Sequence, residues 1–228
     1  MTDPNLPYTI AEWLIPLVIA IVFHEVAHGW VALALGDPTA REQRRLTLNP
    51  LRHVDPIGTI VVPGMLALAS LPTFGWAKPV PVNQRRLRNP RYGMMAVAAA
   101  GPLTNFVLAA IGAVALGLLA RSAGAGDGTS FLALNLQNFI FINIFLALFN
   151  LLPIPPFDGS HIVEGLLPRR AARTYARLRP WGFPLIFGLL VVVPYIWPGS
   201  GLVQRLVLPP FGWIAEHYDT LIRMVAGA

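Results

Sequence analysis

Residues Trp13-Leu-Ile-Pro-Leu-Val-Ile-Ala-Ile-Val-Phe-His24-Glu25-Val26-Ala27-His28-Gly-Trp-Val-Ala-Leu-Ala-Leu35 decide how the chain is read. The apolar run is long enough to cross a bilayer as a helix. Two histidines and a carboxylate interrupt it. Residues four apart share a helix face, so His24 and His28 aim two imidazoles at one point. That spacing, with a glutamate between, is the pattern that binds zinc and supplies a general base. Ionisable groups at bilayer depth are costly to keep, which makes them a functional site by default.

The whole chain agrees with a membrane setting. Its 228 residues are 55% hydrophobic and 12% charged, against about 25% charged in soluble domains. The expected fold is an all-α membrane protein, a polytopic transmembrane helix bundle of about four to six spans forming one domain over 1–228. There is no cysteine, so disulfides are excluded and any zinc site must use histidine and carboxylate. The net charge of +6 is gathered in short loops without interleaved aromatics. That argues against nucleic acid and for membrane topology. The first apolar run is too long for a cleavable signal peptide and lacks a basic leader.

Loop charges orient the chain. The first helix stops at Gly36-Asp37-Pro38, and Arg41, Arg44, Arg45 and Arg52 follow. Its C-terminal end therefore faces the cytoplasm. His24 lies about 18 Å along the helix from Glu12, within a hydrocarbon core about 30 Å thick. The candidate site thus falls in the cytoplasmic half of the bilayer.

Residues 57–76 are apolar but short, with Pro63-Gly64 in the middle, and the next loop is again basic (Lys78, Arg85, Arg86, Arg88, Arg91). A re-entrant segment that enters and leaves on one face fits this pattern, and a short kinked span is the alternative. Further apolar stretches cover 93–120, 131–152 and 182–198, with a weakly amphipathic one at 211–226. Of the 17 basic residues, only Arg121, Arg205 and Arg223 fall outside three loops assigned to the cytoplasm.

A catalytic zinc site takes three protein ligands. Among the acidic residues Asp158 stands apart, in Asn150-Leu-Leu-Pro-Ile-Pro-Pro-Phe-Asp158-Gly159. Three prolines forbid a regular helix there, and the segment can carry a carboxylate back toward the membrane. The competing role for Asp158 is the N-cap of a helix starting at Ser160. His53 and His161 are further candidate ligands, for which loop and supporting roles are preferred. Asn105 and Asn150 can bind a substrate backbone or an oxyanion, or glue helices together, as Asn135, Asn138 and Asn143 are expected to do. Lys78-Pro-Val-Pro-Val-Asn83 is held extended by its prolines and can act as a strand that receives substrate, or as an ordinary loop.

The pair formed by His24-Glu-Val-Ala-His28 and Asn150-Leu-Leu-Pro-Ile-Pro-Pro-Phe-Asp158-Gly159 resembles the site-2 protease family of intramembrane zinc metalloproteases. Gly101-Pro-Leu-Thr-Asn105, Leu48-Asn-Pro-Leu-Arg-His-Val-Asp-Pro-Ile-Gly-Thr59 and Gly75-Trp-Ala-Lys-Pro-Val-Pro-Val-Asn83 are similar to motifs of its small bacterial members. The likeness covers roughly residues 12–165 and leaves the C-terminal helices of 182–226 outside. It implies one zinc ion per chain held by His24, His28 and Asp158, with Glu25 as catalytic base. It also implies regulated proteolysis of a membrane-protein substrate with a transmembrane helix, in the bacterial inner membrane. Members often carry a PDZ or CBS domain, for which this chain has no room. Two other readings use the same residues. A metal-ion transporter would line a permeation path with them, but internal repeats are absent and a poised glutamate serves it no purpose. A catalytically inactive helix-binding scaffold would have no need of the complete set.

Overall fold

The structure, a computed structural model, describes residues 6–68, 75–122, 130–197, 201 and 203–227. It is built of helices, with no strand among the described residues. Helix α1 (Leu6–Ala34) is the long apolar helix of the opening motif, and it accommodates Pro16 in its interior. It ends at Gly36, whose φ of +106° is a left-handed turn that suits glycine. Gly36 N–H donates to Leu33 and Asp37 N–H to Ala32, which satisfies the last carbonyls of the helix.

A short α2 (Thr39–Glu42) follows, then the loop to Pro56. Residues Pro56–Val61 form a wide π turn that runs into α3 (Val62–Leu68). Trp76 N–H donates to Gly58 O at 3.1 Å and Thr59 Oγ1 to Trp76 O at 3.0 Å. The two ends of the 57–76 stretch are therefore side by side, as a segment that enters and leaves on one face requires. Its residues 69–74 lie outside the described residues.

Helices α4 (Pro90–Ser122) and α5 (Ser130–Asn150) are long and apolar. With α1 they make three helices long and apolar enough to cross a membrane among the described residues. Small residues let them approach closely. Ala109 and Ala113 of α4 are fully buried against Ile140 and Ile144 of α5. A Cβ at Gly112 would stand 2.9 Å from the Phe139 ring. Outward-facing Leu103, Val107, Ile111 and Leu118 remain exposed, as side chains that meet lipid do.

Beyond α5, the proline-rich turn leads into α6 (Asp158–Leu166) and α7 (Arg169–Tyr175). The apolar stretch from 182 is divided into α8 (Gly182–Phe187), a π turn and α9 (Val193–Ile196). Pro184 and Pro194 lie inside it, each removing a donor from the ladder. Helix α10 (Leu208–Ala226) is more clearly two-sided than its sequence suggests. Ile214, Tyr218, Leu221 and Ile222 pack on the α4–α5 core, while Asp219 and Arg223 pair on the exposed side.

Candidate metal centre

His24 and His28 sit one turn apart on α1, both buried. Their Nε2 atoms are 3.0 Å from each other. Asp158 Oδ2 lies 3.1 Å from His24 Nε2 and 3.3 Å from His28 Nε2. Asp158 is the first residue of α6, not the residue before it, and its side chain makes no cap bond. The chain therefore spends this carboxylate on the histidines. The fold brings it there because Gly159 packs against the Leu151 and Leu152 carbonyls, where a Cβ would come within 2.5 Å.

The outer ring nitrogens fix the imidazoles. His24 Nδ1 faces Asn105 Oδ1 at 2.5 Å, and His28 Nδ1 faces Val97 O at 2.7 Å. Both partners are acceptors, so both Nδ1 atoms carry the proton. Each Nε2 then presents a lone pair to the same point as Asp158 Oδ2, a buried oxygen without a hydrogen-bond donor. Three converging acceptors need one positive charge between them, supplied by a proton on an imidazole or by a metal ion. Burial pushes the Asp158 carboxyl up, yet the two histidines outweigh burial and hold it well below the usual carboxylate range.

The space is cut for an ion. These three ligand atoms lie within 4.8 Å of one another. A Cβ on Gly101 of α4 would stand 2.5 Å from His28 Nε2 and 2.6 Å from His24 Nε2. Glycine at 101 thus keeps the cradle open. A donor set of two imidazoles and one carboxylate is the hydrolytic type of zinc site.

Glu25 points elsewhere on α1, as a neighbour of His24 about 100° around the helix must. Its Oε2 accepts a hydrogen bond from Val80 N–H at 2.7 Å. The segment that carries Val80 is pinned along its length. Lys78 N–H donates to His53 O at 2.8 Å. The buried guanidinium of Arg45 donates to Lys78 O at 2.9 Å. Asn83 N–H donates to the fully buried Asp37 carboxylate at 2.5 Å.

The other named residues fall as follows. Asn105 is fully buried behind His24, with its amide donating to Ala20 O and Asn143 Oδ1. Asn150 donates to Leu146 O one turn back in α5. Asn138 ties α5 to Glu12 O of α1, whereas Asn135 bonds within its own helix. His53 is buried in its loop, its Nε2–H donating to Thr47 O, and lies away from the cluster. His161 lines a separate cavity. Burial and the Arg179 charge hold it below the ordinary histidine value.

Val80, Arg45 and Gly101 were not singled out as site residues from the sequence. The signals available are Gly101-Pro102 in the middle of an apolar helix and, for Val80, its place in the proline-held 78–83 segment. The contacts of Val80 and Arg45 join segments far apart in the chain.

Comparison with known proteins points to one family. The profile of Peptidase family M50 matches residues 128–193. Curated relatives carry the name "Putative zinc metalloprotease". YwhC of Bacillus subtilis (strain 168) is 38% identical over 219 residues, covering 92% of this chain and 94% of its own. Rip2 of Mycolicibacterium smegmatis (strain ATCC 700084 / mc(2)155) is 30% identical over 188 residues, covering 80% of this chain and 66% of its own. Rip2 of Mycobacterium tuberculosis (strain ATCC 35801 / TMC 107 / Erdman) is 31% identical over 212 residues, covering 86% and 75%. No solved structure matches. With a candidate metal cradle made by two histidines of a membrane-length helix and an aspartate at the start of α6, and with relatives this similar over nearly the whole chain, the chain belongs to peptidase family M50, the site-2 proteases, and is a zinc-dependent peptidase of the membrane.

Proposed function

We propose that this peptidase hydrolyses peptide bonds within or beside the transmembrane segments of other membrane proteins. The observation that carries the reading is the depth of the cluster. His24 and His28 lie in the interior of a 29-residue apolar helix, and Asp158 reaches them from the start of α6.

His24, His28 and Asp158 would hold the zinc ion. When bound, zinc supplies Lewis acidity to the peptide carbonyl and to the attacking water. Glu25 takes the proton from that water and returns it to the leaving amine. The Val80 N–H bond holds the Glu25 carboxylate in one orientation. Asn105 and Val97 hold the imidazoles in the tautomer that leaves both Nε2 atoms free.

A helical substrate has its carbonyls tied up in its own hydrogen bonds and must unwind before attack. The 78–83 segment is placed to receive the unwound piece. Lys78, Val80 and Asn83 have already committed their N–H groups, and Pro79 and Pro81 have none. What remains is mainly carbonyl acceptors. A substrate strand laid there would donate its N–H groups and keep its own carbonyls for the site. The loop charges support a site toward the cytoplasmic face of a bacterial inner membrane.

The test is co-expression with a library of single-span membrane proteins, scored for cleavage by wild type and by Glu25→Gln. Cleavage near or inside spans that needs Glu25 supports the reading. Activity confined to soluble, unstructured peptides would overturn it.

A further inference from the structure

We propose a binding site for the phosphate group of an anionic phospholipid, in a cavity on the basic face where α4, α6 and α7 meet. The cavity has a volume of about 200 Å³ and is lined by Gln84, Arg91, His161, Glu164, Arg169 and Arg173 among others. Arg169 and Arg173 are one turn apart on α7 and so project on one side. Neither guanidinium has an ion-pair partner among the described residues. Arg91 is already committed, donating to the Gly165 and Leu167 carbonyls. It closes one wall and adds positive charge. The carboxylate of Glu164 is neutralised by Arg179. The cavity therefore offers two free guanidinium groups, a fixed cation and an imidazole, with its one carboxylate paired. Arginine forks match phosphate oxygens two at a time.

The surroundings choose a lipid over a soluble anion. Leu166, Leu178, Trp181 and Phe183 flank the arginines and are all exposed. Alternating arginines and exposed Leu and Trp side chains mark a segment lying in the headgroup layer. The negative leaflet on the cytoplasmic side attracts such segments. A headgroup phosphate at that depth is within reach of Arg169 and Arg173 while its acyl chains meet the apolar rim.

The experiment uses the full, zinc-loaded chain in neutral detergent. Phosphatidylglycerol is titrated in and binding followed by native mass spectrometry, with phosphatidylcholine as the uncharged control. Wild type is expected to bind one phosphatidylglycerol saturably. Arg169→Gln with Arg173→Gln is expected to weaken that binding roughly thirtyfold, two exposed guanidinium–phosphate ion pairs being removed, with zinc content unchanged. Arg170→Gln with Arg177→Gln removes equal charge outside the cavity and is expected to leave binding within about threefold. If the double variant loses zinc, the single variants replace it, each expected near fivefold. Equal weakening by both pairs would show diffuse surface charge and overturn the site. So would equal binding of phosphatidylcholine. Displacement by inorganic phosphate at the lipid's own concentration would assign a free-anion site, and displacement by an acidic peptide a protein partner; either overturns the lipid assignment.

Discussion

The carboxylate of Glu25 and the backbone N–H of Val80, 55 positions apart in the chain, are joined at 2.7 Å. The candidate base is thus held by the same segment that is proposed to receive substrate. Hydrogen bonds to a charged group contribute about 1.5–3 kcal/mol. Val80→Pro removes the donor in a segment that prolines already hold extended, and is expected to lower kcat by roughly 10- to 100-fold with zinc content retained. Val80→Ala keeps the donor and is the control. Equal turnover by the two variants would show that the N–H does not orient Glu25.

Glu25→Gln keeps a side chain able to accept from Val80 but removes basicity. It is expected to give a zinc-loaded protein slower by about 10²–10⁴-fold, the usual worth of general-base transfer. Metal analysis and a cleavage assay on one membrane-embedded substrate are read together. Wild-type proteolysis by this variant would rule out the proposed mechanism.

Gly101→Ala puts a methyl group against both candidate ligand nitrogens, 2.5 Å from His28 Nε2 and 2.6 Å from His24 Nε2. Alanine favours the helix by about 1 kcal/mol over glycine, so the fold is expected to survive while zinc is lost. Zinc content beside a thermal unfolding curve decides it. Full occupancy in a folded Gly101→Ala protein would move the metal position away from α4.

Asn105→Ala leaves His24 Nδ1 without its acceptor. Partners of metal-bound histidines typically account for 10- to 100-fold in metal affinity or activity. Zinc affinity is expected to fall in that range. A variant that instead raises KM alone, with affinity for zinc intact, would return Asn105 to a substrate-binding role.

The stitched ends of the 57–76 stretch predict that Arg41 and Arg85 face the same side of the membrane. The chain has no native cysteine, so Arg41→Cys and Arg85→Cys can be probed singly with an impermeant thiol reagent. Arg41 is exposed, unlike Arg45, whose buried guanidinium holds the loop. Labelling of one and not the other from outside intact cells would mean that the stretch crosses.

The sequence was most readable where one local rule decides the outcome. Helical spacing was enough to pair His24 with His28, and three prolines were enough to free Asp158 from a long helix. The span count was less readable. Pro184 and Pro194 interrupt the apolar stretch after 182 without making it less apolar, so hydropathy counts what the backbone divides. Least readable were Val80, Arg45 and Asp37. Their bonds run through backbone atoms, which every residue has, and they form only after distant segments meet. Asn105 shows the same limit from the other side. Its type announced a buried polar role, but only the packing of α4 on α1 could assign it to His24.

Asp158 joins His24 and His28 from the far side of two membrane-length helices in chain order. During synthesis the histidines and Glu25 enter the bilayer first, and the third ligand leaves the ribosome only after α4 and α5. A chain arrested before that point has an incomplete cradle, and so cannot digest the other nascent membrane proteins crowded at its own site of insertion.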